Sequence, residues 1–99
     1  MESKTADIKK LLKNYHSIKI EMENGIANKD DADKINFIDN CIKTLDEESR
    51  QIIVKVFIDK ISITKIARQL YINRTTLYRR INKITKVIDT AYRKKFKII

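Results

Sequence analysis

The chain has 99 residues, 42% of them hydrophobic, and a formal net charge of +9. This length supports one domain with a modest core, which argues against an enzyme with a deep active-site pocket. With one glycine and no proline, the sequence lacks the turn residues that a set of short strands needs, so we predict an all-α fold.

The cysteine content and the apolar pattern of the sequence indicate the cellular compartment. Cys41 has no second cysteine with which to form an internal disulfide. No apolar run is long enough to cross a bilayer, and residues 1–10 carry charges where a secretory signal needs apolar side chains. We therefore expect a soluble cytoplasmic protein, and the sequence identifies no catalytic residues, no metal ligands and no cofactor site.

The first predicted element is an amphipathic helix over residues 5–23, within an N-terminal segment 1–24. Its apolar positions recur at spacings of three and four: Ile8, Leu11, Tyr15, Ile18 and Met22. This stripe must pack either on the rest of the chain or on a second subunit. Gly25 can supply a left-handed helix cap, and the polar, acidic residues 25–33 are predicted to form a linker.

Two further helices are predicted before residue 62. The first spans residues 34–43 and would bury a stripe of isoleucines that includes Ile35 and Ile38. The second begins near Thr44 or Asp46, either of which can act as its N-cap. We expect Phe57 to lie nearest the centre of the core that this helix forms.

Residues 62–83 have the pattern of two short helices joined by a tight turn. Ser62 can cap the first helix, whose apolar face includes Ile66 and Leu70. Asn73 can cap the second. Helices this short, joined by so few residues, must cross steeply, which is the helix-turn-helix arrangement.

The helical pattern then continues without interruption from residue 74 to about residue 97. A helix of this length exceeds what a DNA groove accommodates, so its distal half needs another contact. That half could pack on the N-terminal helix, or form a homodimer through residues 84–97, residues 5–23 or both.

Positive charge is concentrated in the last third of the sequence. Residues 62–99 contain eleven Lys/Arg and one acid, Asp89, whereas residues 25–61 contain more acids than bases. This distribution is typical of a polyanion-binding face, although a solvated basic face without a partner has the same pattern.

The helix-turn-helix segment resembles sigma-factor region 4. The residues that carry this resemblance are Ile66, Ala67, Leu70, Ile72, Asn73 and Leu77. It extends upstream through residues 45–53, and with the N-terminal helix around residues 12–15 the whole chain is most similar to the ArpU/RinA-type late-gene regulators of phages of Gram-positive bacteria. The resemblance implies residues 34–99 as a DNA-binding domain with a C-terminal helical extension, acting in a bacterial host cell.

Tyr71 departs from that family, which usually has glycine at this position of the turn. A bulky residue is disfavoured at positive φ. We therefore expect that this turn either avoids that conformation or differs in its local geometry.

Spacing and the resemblance together divide the exposed residues into two sets. The predicted DNA base contacts are Arg74, Thr75, Tyr78, Arg79 and Asn82. The predicted phosphate contacts are Ser62, Thr64, Lys65, Arg68, Asn73, Arg80, Lys83 and Lys86. For Tyr78, a ring lying flat on the helix surface is an equally good interpretation.

The leading hypothesis is a sequence-specific regulator of phage or mobile-element genes that binds double-stranded DNA. One alternative is the DNA-recognition subunit of a packaging or replication-initiation complex, with the long helix building a ring. Another is a sigma-like module that binds RNA polymerase as well as DNA.

Overall fold

The computed structural model describes residues 6–96, and all regular structure in that range is helical. The helices are α1 (Ala6–Lys13), α2 (Tyr15–Glu23), α3 (Lys29–Thr44), α4 (Glu47–Ile53), α5 (Ile63–Gln69) and α6 (Arg74–Lys95). A π-helical turn, Val54–Ile58, follows α4 directly. The predicted all-α helix-turn-helix fold is confirmed.

One hydrophobic core joins α1, α4, α5 and α6. Its members include Leu12 from α1, Ile53 from α4, Ile66 from α5 and Leu77 from α6, each with 0% exposure. Phe57, in the π-helical turn, is 5% exposed and belongs to the same cluster, so its place in the core is confirmed. The prediction that it is the most central residue is not, because several of its neighbours are more deeply buried. The second helix of the predicted helix-turn-helix, α6, therefore rests on side chains from α1, α3, α4 and α5.

The N-terminal helix is broken where the sequence predicted a continuous one. The backbone leaves helical geometry at Asn14 (φ −93°, ψ 6°), which separates α1 from α2. The two halves bury their stripes on different neighbours, since α1 packs on α6 and the π-helical turn whereas α2 packs on α3. Packing within the chain is therefore the arrangement observed. Thr5, the predicted first residue, lies outside the described residues.

The predicted linker is shorter than residues 25–33, because α3 begins at Lys29. Asn28 caps this helix by accepting a hydrogen bond from the Asp31 backbone N–H at 2.8 Å. The prediction was wrong because acidic residues were attributed to a linker, although acidic side chains in a first helical turn stabilise the helix N-terminus. Gly25 ends α2 with φ +71°, as expected.

Asp46 is the residue that caps α4. Its carboxylate accepts a hydrogen bond from the Ser49 backbone N–H at 3.1 Å. The hydrogen bonds with Ser49 hold the pKa of Asp46 below its usual value. The Thr44 hydroxyl instead donates to the Cys41 carbonyl at 2.9 Å, so it caps nothing at this helix start.

The turn between α5 and α6 is a Schellman motif with tyrosine at its left-handed position. The Ile72 N–H donates to the Ala67 carbonyl at 3.0 Å and the Tyr71 N–H to the Arg68 carbonyl at 3.2 Å. Tyr71 has φ +57° and is 96% exposed. The expectation that the turn avoids positive φ at this position is therefore wrong, because the two backbone hydrogen bonds of the motif hold Tyr71 in the left-handed conformation.

Tyr71→Gly should stabilise the fold by about 0.5–1 kcal/mol. Glycine removes the clash of a Cβ at positive φ, and its greater freedom in the unfolded chain offsets part of that gain. Tyr71→Ala is the matched control, because alanine keeps the Cβ and should give no stabilisation. Urea unfolding followed by circular dichroism measures both variants, and equal stability of the two would contradict strain at this position.

Candidate nucleic-acid interface

Side-chain caps fix where the two helices of the motif begin. The Ser62 hydroxyl accepts from the Lys65 backbone N–H at 3.2 Å, and the Asn73 side chain accepts from the Thr76 N–H at 2.7 Å. Between them, Ala67 is 4% exposed, and its small side chain allows α6 to pack closely on α5. The sequence therefore specifies both helix starts and the contact that sets their crossing.

One face of α6 is buried and the opposite face is open along the first half of the helix. The buried face includes Leu77, Ile81 and Ile84. The predicted base contacts are all exposed: Arg74, Thr75, Tyr78, Arg79 and Asn82. Because residues three and four apart share a helix face, Thr75, Arg79 and Asn82 form a continuous outward row. Tyr78 is 52% exposed at the edge of that row.

All but one of the predicted phosphate contacts are exposed. The exposed members are Ser62, Thr64, Lys65, Arg68, Asn73, Lys83 and Lys86. The side-chain oxygens of Ser62 and Asn73 accept hydrogen bonds in capping. The Ser62 O–H and the Asn73 N–H donors are not used there and can bind a phosphate oxygen. The remaining members offer free cationic or hydroxyl donors.

Arg80 is the exception among these residues. Its guanidinium forms an ion pair with the Glu48 carboxylate of α4, on the flank of α6 away from Asn82. The structure therefore places Arg80 in a helix-to-helix contact and separates it from the outward row. Because Glu48 compensates the charge of Arg80, we expect Arg80 to attract a phosphate less strongly than an unpaired arginine would.

A contact that the sequence did not indicate lies on the other flank. Lys9 of α1 donates a hydrogen bond from its ammonium to the Asn82 side-chain oxygen at 3.1 Å. The stripe of α1, with Ile8 and Leu12 both fully buried, brings Lys9 to this position. No motif or spacing signals a pair so distant in sequence, and only the burial of α1 against α6 reveals it.

The distal half of α6 belongs to the core. Ile88 and Tyr92 are 1% and 6% exposed, and the Tyr92 ring packs on Phe96 with centroids 4.9 Å apart and on Phe37 at 5.9 Å. This half therefore anchors the helix whose first half has one exposed face. Lys97, the predicted helix end, lies outside the described residues.

Apart from Arg80, the exposed cations on the outward face of α5 and α6 have no compensating acid on these two helices. Asp89 is the one acidic residue between residues 62 and 96, and it is 5% exposed. Its carboxylate pairs with the Arg93 guanidinium one turn later, with Nε to Oδ2 at 3.0 Å. The cations of the outward face thus have no acidic neighbour on their own two helices.

Residues 34–97 match the model of the Mga helix-turn-helix domain. The chain belongs to this family. The match confirms the helix-turn-helix class and supports DNA binding, while the finer ArpU/RinA assignment stays a prediction. No curated protein and no solved structure matches the chain.

The Mga domain match begins within α3 and covers α4, α5 and α6. Helices α1 and α2 precede it, although α1 contributes Ile8 and Leu12 to the same core. Within residues 6–96, no helix is long and apolar enough to cross a membrane. Over the same range, no group of three or more His, Cys, Asp or Glu side chains is placed to hold a metal ion.

Proposed function

We propose that this protein is a sequence-specific regulator of transcription that binds double-stranded DNA and reads the major groove with residues 74–83. The observation that carries the proposal is the acid-free exposed surface of α5 and α6, on a helix-turn-helix whose second helix is uncovered along one face. The major groove is wide enough for one helix and displays a distinct donor and acceptor pattern for each base pair.

The outward row of α6 supplies the chemistry for reading bases. An arginine such as Arg79 can hold guanine through two parallel hydrogen bonds, and the Thr75 methyl can contact the methyl of thymine. Asn82 offers an amide whose donors can reach a base edge. These side chains are proposed as the specificity-determining contacts, with Arg74 and Tyr78 at the margin of the row.

The proposed phosphate contacts position the protein without reading sequence. Lys65 and Arg68 are exposed on α5, which packs on the proposed recognition helix, α6. Lys83 and Lys86 are exposed on α6 itself and continue its positive charge beyond residue 82. Because each neutralised phosphate releases counterions, their contribution appears in the salt dependence of binding.

The biological setting is inferred from the sequence resemblance. ArpU/RinA-type regulators act on phage late genes, so we propose phage or mobile-element genes in the bacterial cytoplasm as targets. Transcription of a reporter template by purified RNA polymerase, with and without the protein, tests this regulation. A direct contact with polymerase would appear as activation that survives removal of the protein's DNA site.

A homodimer would have little apolar surface to use on the two helices first considered for it. Ile18 and Ile88 are buried within the chain. Over the described part of residues 5–23 and 84–97, the large apolar side chains that are exposed are Ile20, at 60%, and Val87, at 59%. Two-fold symmetry of the preferred DNA site would support a dimer formed on the DNA.

Selection of bound sequences from a random duplex pool is the experiment that tests the proposed function. We expect enrichment of one site, with a preferred base at several adjacent positions. Recovery of unenriched sequences would contradict sequence-specific recognition.

Lys65→Ala should weaken binding to the selected duplex and to a scrambled duplex by the same factor. The slope of log K against log salt concentration should decrease by about one, because one phosphate contact is lost. Fluorescence anisotropy titrations at several salt concentrations measure this slope. Lys43→Ala, at the end of α3, is the matched control and should leave it unchanged; loss of affinity for only one of the two duplexes would argue against a phosphate contact.

A further inference from the structure

We propose that Lys9 of α1 is a positioning residue of the DNA interface, which orients Asn82 and so sets the class of base that Asn82 reads. The proposal rests on the proposed function, since it concerns a residue of the outward row. Its basis is the hydrogen bond from the Lys9 ammonium to the Asn82 side-chain oxygen, 3.1 Å long, between a helix outside the matched Mga domain and the recognition helix.

The contact fixes which end of the amide faces the groove. An ammonium group donates hydrogen bonds and accepts none, so it binds the oxygen of the Asn82 amide and cannot bind its nitrogen. The amide nitrogen is therefore left as the free end. Lys9 is itself half-buried beside fully buried Ile8, which restricts the positions that its side chain can take.

An amide held in this way differs from a free asparagine. A free asparagine binds adenine with both ends, accepting from the exocyclic amino group and donating to N7. With the oxygen bound to an ammonium, an approaching amino group of adenine or cytosine meets positive charge. The free N–H donors instead favour acceptors, which are O6 and N7 of guanine, O4 of thymine and N7 of adenine. Adenine is disfavoured among these, because its exocyclic amino group lies beside N7 and would meet the positive charge of Lys9.

The arrangement also brings α1 to the edge of the DNA interface. An ammonium within hydrogen-bond distance of a base-facing side chain lies close to the duplex, and two of its three N–H donors remain for phosphate oxygens or water. Helix α1 thus has two roles, because its apolar stripe supports α6 in the core and Lys9 directs a side chain on the surface of α6.

The test is duplex selection with the full chain and four variants. Wild type should select guanine or thymine at one position, and Asn82→Ala should lose preference at that position. Lys9→Met should shift the preference there toward adenine by about tenfold, within the range by which a good contact discriminates. Lys9→Arg retains a donor and a charge and should keep the wild-type base. Lys10→Met, at the exposed neighbour that lines a surface pocket with Glu21 and Asp31, is the matched control and should change nothing.

Several outcomes would overturn the proposal while leaving the proposed function intact. These are selection of adenine by the wild type at the Asn82-dependent position, or identical selection by wild type and Lys9→Met there. Failure of the wild type to enrich any sequence would instead overturn the proposed function itself. Thermal unfolding by circular dichroism should show Lys9→Met folded like the wild type, since the Lys9 contact lies at the surface.

Discussion

Arg79→Ala should lower affinity for the selected duplex by about 1–3 kcal/mol, while affinity for a scrambled duplex falls much less. Arg79 is exposed near the middle of the outward row of α6, one turn from Thr75. An arginine in this position can form two parallel hydrogen bonds with guanine, and alanine can form neither. Anisotropy titrations with the two duplexes at one salt concentration measure the difference directly.

Arg68→Ala is the matched control for that experiment. Arg68 is also an exposed arginine of the helix-turn-helix, but it lies on α5, where a phosphate contact is proposed. The control variant should lose affinity for both duplexes equally. If Arg79→Ala behaved in the same way, Arg79 would be a phosphate contact and the proposed base-reading row would be wrong.

Leu12→Ala should destabilise the fold by about 2–5 kcal/mol, the usual cost of deleting a buried leucine side chain. Leu12 is fully buried in the cluster that also contains Leu77 and Ile81 of α6. The cavity would therefore lie directly beneath the recognition helix. Urea unfolding monitored by circular dichroism measures the change in free energy of unfolding.

Ile20→Ala provides the comparison for Leu12→Ala. Ile20 lies on α2 and is 60% exposed, so its truncation should change stability by about 0.5 kcal/mol or less. Equal effects of the two variants would show that α1 does not belong to the core. In that case α1 would not support α6.

Local patterns in the sequence predicted the helix-turn-helix correctly. Ser62 and Asn73 are capping residues whose partners lie three residues along the chain, so the sequence determines both helix starts. The spacing of Leu77, Ile81 and Ile88 predicted the buried face of α6 for the same reason, since helical periodicity is local.

Local patterns could not predict contacts between residues that are distant in the sequence. The break at Asn14 arises because α1 and α2 pack on different helices, and nothing within residues 5–23 signals those partners. Arg80 was placed with the phosphate contacts by its helical position, but its guanidinium pairs with Glu48 of α4. The hydrogen bond between Lys9 and Asn82 likewise joins two helices that are distant in the sequence. The exposure of side chains along each helix was thus predictable from the sequence, whereas contacts between helices were not.

Tyr71 shows a second limit, which concerns local backbone preference. Steric preference argued against positive φ at a tyrosine, yet the residue has φ +57°. The backbone bonds of the Schellman motif and the burial of Ala67 on one side of the turn outweigh the local penalty. Local propensity is overridden here by the need to bring α5 and α6 together.

Amide chemical-shift mapping by NMR, during titration with the selected duplex, tests most directly whether the outward face of α6 contacts DNA. The largest changes should fall on residues 74–86 and on the first turn of α5, with small changes along α2 and α3. Changes concentrated on α2 and α3, with residues 74–86 unaffected, would contradict the account.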